Sequence, residues 1–144
     1  MPHVYVSGVV GASAEEVWSL VGPFDGLASW HPAFESSVIT NGVPANLVGA
    51  ERLLTLRDGG QIRERLLGFS AFKRTAVYTI LSSPLPISEY VATLRVTPVT
   101  MGDRALVEWW SRFEAAPGDR EAMTSLLRSV YEAGIGAIGQ KLGG

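Results

Sequence analysis

Apolar positions along the chain follow two periods, one of strands and one of helices. Val4 to Val10, rich in valine and tyrosine, predicts a first strand. Ser13-Ala14-Glu15-Glu16 follows as a capping box, in which the Ser13 hydroxyl accepts from the Glu16 amide and the Glu16 carboxylate reaches back. Val17, Trp18, Leu20 and Val21 then form the apolar stripe of a short helix, ended by Gly22-Pro23. Phe24 to Trp30 predicts a second short helix, with Pro32 as its stop.

Beyond Phe34 the period becomes that of strands. They are expected at Ser36 to Thr40, Ala50 to Leu56, Gln61 to Gly68, Thr75 to Leu81, Tyr90 to Val96 and Ala105 to Phe113. Asn41-Gly42, Arg57-Asp58-Gly59-Gly60, the prolines 84 and 86, and Met101-Gly102-Asp103 punctuate them. The last segment is helical, from roughly Arg120 to Leu142. Met123, Leu126, Leu127, Val130, Tyr131, Ile135, Ile138 and Leu142 recur there at steps of three and four, and Asp119 is the expected N-cap. One strand, two short helices, six strands and one long helix make an α+β protein. Its sheet is expected to be antiparallel, of seven strands, and a strongly curved sheet of this kind can wrap the long helix and leave a space beneath it.

The hairpin at Asp58-Gly59-Gly60 fixes which side chains face that space. A two-residue loop would pair Leu56 with Gln61 and Leu54 with Arg63, mixing apolar and charged groups on one face. A three-residue loop with a bulge pairs Leu56 with Ile62 and Leu54 with Glu64, and is favoured because Leu54, Leu56, Ile62 and Leu66 then share a face. Arg52 and Glu64 fall on the same face, one diagonal step apart. They are either an ion pair at a wetted sheet edge or the polar anchors of an otherwise apolar pocket. The same alternation puts Tyr90, Ala92, Leu94 and Val96 on one face, Val107, Trp109, Ser111 and Phe113 on another, and Tyr78 with Ala76 and Ile80. Trp110 then points outward, where it is free to serve a homodimer contact.

Composition narrows the chemistry. The 144 residues fit one domain over 1–144, and 47% hydrophobic with 18% charged residues is the make-up of a chain that folds. Twelve basic against 14 acidic residues give a net charge of −2, a balance that argues against nucleic-acid binding. Without cysteine there is no thiolate chemistry, and two histidines, His3 and His31, exclude a multi-histidine metal centre. Nothing in the sequence calls for a cofactor. The N-terminus does not read as a signal peptide, and no stretch is long enough for a membrane span, so a cytoplasmic location is expected. Gly134-Ile135-Gly136-Ala137-Ile138-Gly139 matches GxGxxG in letters only. It lies inside the last helix rather than in a turn after a strand, with no following strand to build a dinucleotide site, and these glycines instead let the helix approach the sheet or leave room for a ligand.

Several segments resemble the START/Bet v 1-like (SRPBCC) superfamily, whose fold is the helix grip. They are Ser13-Ala14-Glu15-Glu16-Val17-Trp18 after the first strand, Phe24-Asp25-Gly26-Leu27-Ala28-Ser29-Trp30-His31-Pro32, Asp58-Gly59-Gly60-Gln61-Ile62-Arg63-Glu64-Arg65-Leu66, Pro86 with Tyr90-Val91-Ala92, and Trp109 four residues before Phe113. The second of these is similar to a segment of the bacterial polyketide cyclase/dehydratase-like branch. The resemblance implies an internal cavity for a lipid, polyketide or other apolar molecule, and, in some members, cyclase or dehydratase activity. Fold does not choose between these.

The expected ligand-binding set is Trp30, His31, Arg52, Leu54, Leu56, Glu64, Tyr78, Tyr90, Trp109, Phe113, Leu127 and Tyr131. His31 is either a surface or capping residue or a polar group at the pocket mouth able to protonate a ligand carbonyl. Three functions follow: a protein that holds a small hydrophobic molecule, a cyclase/dehydratase-type enzyme using His31 and the Arg52–Glu64 pair, or an interaction module without ligand. No hydroxyl lies in a nucleophile elbow and no triad is legible. Few polar groups converge, so binding leads.

Overall fold

The computed structural model describes residues 1–143. Strand β1 (His3–Val10) leads into helix α1 (Ala14–Val21) and a short 3₁₀ turn (Leu27–Ser29). Six strands follow: β2 (Phe34–Ile39), β3 (Glu51–Leu56), β4 (Gln61–Ser70), β5 (Thr75–Ser82), β6 (Ser88–Val99) and β7 (Arg104–Glu114). Helix α2 (Arg120–Leu142) closes the chain. The strands form one antiparallel sheet in the order β1-β7-β6-β5-β4-β3-β2. Consecutive strands are neighbours except at β1, which returns to pair with β7. The segment from α1 to Pro32 crosses from one sheet edge to the other. Bulges in β2, β4 and β6 bend the strands into a curved open sheet around α2, the helix-grip arrangement.

Ser13 caps α1 as its sequence requires, accepting from the Glu16 amide at 3.2 Å. Asp119 occupies the N-cap of α2 but makes no side-chain cap. The segment Phe24 to Trp30 is not a helix; only the 3₁₀ turn forms. Both backbone groups of Phe24 are drawn elsewhere, the N–H to Asn46 Oδ1 (3.0 Å) and the carbonyl to Arg52 Nη1 (2.8 Å), so no helical turn can use them.

The β3–β4 hairpin departs from the expected register by two residues. Leu54 faces Ile62, and Arg52 faces Glu64 directly across the ladder rather than diagonally. Leu56 N–H donates to the Gly60 carbonyl at 2.8 Å, leaving Arg57-Asp58-Gly59 as the loop. Gly59 takes φ +94°, a left-handed conformation that glycine adopts without strain. Because side chains alternate with period two, a slip of two residues keeps every side chain on its expected face. Arg52, Leu54, Ile62, Glu64 and Leu66 are accordingly all buried on the inner face.

The glycines of α2 do lie inside the helix. A Cβ at Gly134 would stand 2.7 Å from Trp109 Cζ3 and 2.8 Å from His31 Cδ2. A side chain there would hold the helix off β7, so glycine sets the helix–sheet distance at this level. Trp110 lies on the outer face as expected, half-buried under Tyr5 and Arg95. No helix among the described residues is long and apolar enough to cross a membrane.

Candidate functional site

Between the inner face of the sheet and the N-terminal half of α2 lies a cavity of about 350 Å³, a size typical of small-molecule sites. Leu54, Leu56, Glu64, Tyr78, Tyr90, Trp109, Leu127 and Tyr131 all line it. Leu54, Ile62, Ile80 and Leu127 make most of its body apolar. Asp58, Gly60, Pro84 and Leu85, from the β3–β4 and β5–β6 turns, and Leu126 of α2 complete its rim.

Polar groups gather on the sheet wall. Glu64 Oε1 accepts from Arg52 Nε (2.9 Å) and Nη2 (2.7 Å). Both side chains are 6% exposed. The guanidinium is further held by the Phe24 carbonyl and packed between the rings of Phe24 and Tyr78, 4.0 and 4.8 Å from their centroids. Glu64 Oε2 receives no hydrogen bond among the described residues. Burial pushes the Glu64 carboxyl upward, and the Arg52 charge opposes that shift without cancelling it.

Three tyrosines stand beside this carboxylate. The Tyr78 hydroxyl accepts from Trp109 Nε1 at 2.9 Å, and its own proton has no acceptor among the described residues. The Tyr90 and Tyr131 hydroxyls are hydrogen-bonded to each other, and Tyr131 donates on to Ser111 Oγ at 2.8 Å. Trp109 stacks on Tyr131 with ring centroids 4.6 Å apart. Burial raises all three phenols above their ordinary value, so they remain protonated and able to donate.

The remaining expected residues lie outside this cavity. Trp30 and Arg52 line a second space of about 20 Å³, which shares Leu27, Tyr78 and Trp109 as a wall with the larger one and has room for about one water molecule. Phe113 is fully buried in the core. His31 is neither at the surface nor at the pocket mouth. It is 1% exposed, with Nε2 donating to the Val130 carbonyl (2.7 Å) and Nδ1 accepting from the Ala33 amide (3.1 Å). Those two bonds require the neutral Nε2–H tautomer, and burial lowers the imidazole below its ordinary value despite the opposing bond to Val130. With both nitrogens committed, it pins α2 to the segment before β2 and carries no proton to the cavity.

Ile62 and Ile80 were not in the expected binding set. The alternation that placed Leu54 and Tyr78 inward identifies them equally. Pro84, Leu85 and Val130 carry no comparable signal, because a loop or a helix face reaches a cavity only through the tertiary fold.

The sequence model of the family described as polyketide cyclase/dehydrase and lipid transport matches residues 1–143, and the chain belongs to that family. Its fold is accordingly that of the START/Bet v 1-like superfamily. The chain is similar to the protein XoxI of Bacillus cereus at 32% identity, over 99% of this chain and 96% of that one, with a TM-score of 0.90. A protein of Nitrosospira multiformis matches at 31% identity over 98% and 96%, with a TM-score of 0.85. The Zhui aromatase/cyclase from Streptomyces sp. R1128 shares the fold at 18% identity over 98% and 93%, with a TM-score of 0.79. No curated protein matches the sequence significantly.

Proposed function

We propose that this protein binds a small, largely apolar molecule, of lipid, polyketide or aromatic type, in the cavity between its sheet and α2. The observation that carries this reading is the cavity itself. About 350 Å³ of mostly apolar space is open where a core would otherwise be packed, and its polar groups are concentrated near Glu64 and the tyrosines. A folding core gains nothing from such a space; a binding site needs it.

Titration with the neutral fluorophore N-phenyl-1-naphthylamine tests the reading. Saturable binding at one site per chain is expected, and Leu127→Trp, which fills the cavity from α2, should abolish it. No saturable binding, or equal binding by the filled variant, would overturn the proposal.

A second reading is an enzyme of the cyclase/dehydratase type in the same cavity, the activity named for the aromatase/cyclase of like fold. One observation favours it: a carboxylate oxygen beside a tyrosine hydroxyl proton, neither with a hydrogen-bond partner among the described residues. Glu64 would be the base and Tyr78 the acid. The route through His31 has no support, since both its nitrogens are engaged away from the cavity.

A further inference from the structure

The ends of the cavity differ in what they offer a ligand. Among its lining residues are two carboxylates, Glu64 and Asp58, and no lysine, arginine or histidine. The buried guanidinium of Arg52 is turned away, with Nε and Nη2 on Glu64 Oε1 and Nη1 on the Phe24 carbonyl. Glu64 Oε2 is left as an acceptor with no hydrogen-bond partner among the described residues. On the next strand, Leu66 pairs with Tyr78 and Ile80 with Glu64, so Tyr78 stands one diagonal step from Glu64 on the same face. The Tyr78 hydroxyl already accepts from Trp109, so what it has left to give is its proton. The pair therefore presents one acceptor and one donor, side by side and unjoined.

We infer that the cavity selects a neutral hydroxyl-bearing ligand, an alcohol or a phenol, whose O–H donates to Glu64 Oε2 while its oxygen accepts from Tyr78. This rests on the proposed binding function and names the polar chemistry it takes. A hydroxyl is both donor and acceptor and satisfies both groups at once. A ligand carboxylate supplies acceptors only. It would face the Glu64 carboxylate with no cation to receive it, leaving that buried oxygen unpaired. Free fatty acids and other anionic amphiphiles are thereby disfavoured, and fatty alcohols and phenols favoured.

Three ligands of one ring size separate the possibilities: naphthalene, 2-naphthol and 2-naphthoate, titrated calorimetrically at neutral pH. The wild type should bind 2-naphthol about tenfold or more tightly than either of the others. Glu64→Gln provides a sharper readout. The Arg52 N–H groups oblige the glutamine to keep its carbonyl oxygen toward the guanidinium, so its NH₂ replaces Oε2 in the cavity. An acceptor becomes a donor, and the preference should invert toward 2-naphthoate. Tyr78→Phe should reduce the advantage of 2-naphthol over naphthalene.

Wild-type binding of 2-naphthoate as tight as that of 2-naphthol would overturn the inference on its own, whether or not Glu64→Gln folds. An unchanged preference in a folded Glu64→Gln would do the same. Binding of naphthalene in either case leaves the binding function standing. Failure of all three ligands, together with the neutral fluorophore, would overturn the binding function and this inference with it.

Discussion

The β3–β4 ladder carries two arginine–glutamate pairs, one residue apart and on opposite faces. Arg52 faces Glu64 on the inside, and Glu51 faces Arg65 on the outside. Their geometry is nearly the same. In each, the arginine Nε and Nη2 donate to a single carboxylate oxygen, at 2.9 and 2.7 Å inside and at 3.1 and 2.7 Å outside. Their surroundings differ. The inner side chains are 6% exposed, whereas Arg65 is 45% and Glu51 21% exposed. Contact distance therefore says little about what a pair does. Inside, both charges have lost water and depend on each other, and one carboxylate oxygen is left to face a cavity. Outside, water already supplies most of what the partner would.

The largest expected effect removes one member of each pair. Glu64→Ala should destabilise the fold by about 3–5 kcal/mol, because the Arg52 charge stays buried without a counter-charge. Glu51→Ala should cost under about 1 kcal/mol. Chemical denaturation of both variants checks this. Equal losses would mean that the two faces are equally wet and that the inner pair is no site.

The next effect compares a saturated inner group with the unsaturated ones. Tyr131 bridges Tyr90 and Ser111, so Tyr131→Phe strands two buried hydroxyls and should cost about 1–3 kcal/mol. Tyr78→Phe removes a hydroxyl whose proton has no acceptor among the described residues, and it strands one buried donor, Trp109 Nε1. Its stability loss should be the smaller of the two and its effect on ligand preference the larger. Thermal melts with and without 2-naphthol separate stability from binding.

This contrast also marks how far the sequence could be read. Strand alternation, the capping box at Ser13 and the three- and four-residue steps of α2 act over a few residues, so the strands, α1, α2 and their faces are legible, whereas the helix expected over Phe24 to Trp30 is lost to the distant partners of Phe24. Arg52 and Glu64 were placed inward despite a hairpin register two residues out, because face depends only on parity. The register itself turned on one glycine conformation at Gly59, which composition leaves open. His31 was illegible for a different reason: its partner is the carbonyl of Val130, 99 residues away. Backbone acceptors have no sequence signature. For the same reason alternation could identify an inward Arg52 or Phe113, but not whether an inward side chain meets the cavity, a packed core or a second small void.

Acidification probes His31, a polar group that the protein satisfies fully. Its imidazole is held neutral and below the ordinary value of 6.5. The unfolded chain takes up a proton near 6.5 that the folded chain refuses until a lower pH. The contribution of His31 to stability is therefore complete above 6.5 and is lost progressively as pH falls through its folded-state value. Glu64, whose carboxyl is raised by burial, acts in the opposite sense, its contribution diminishing as pH rises through its folded-state value. The difference in melting temperature between wild type and His31→Gln cancels the Glu64 contribution. That difference should shrink between pH 7.5 and 5; a constant difference would place His31 in contact with water.

The smallest effect uses salt on the two pairs. At about 1 M ionic strength the screening length falls to roughly 3 Å, comparable to the contact distances in both. Only charges that ions can approach are screened. The outer pair stands at the surface, so the cost of Arg65→Ala, expected at about 0.2–1 kcal/mol in dilute buffer, should vanish in 1 M sodium chloride. The inner side chains are 6% exposed, with Arg52 packed between Phe24 and Tyr78, so ions are expected to be kept out and the cost of Glu64→Ala should be the same in both buffers. Denaturation in urea, which adds no charge, measures each difference without itself screening it. A Glu64→Ala cost that falls with salt would put solvent ions at the carboxylate. The cavity would then be an open cleft in which an anionic ligand could share the Arg52 charge, and the preference argued for a neutral hydroxyl would lose its basis.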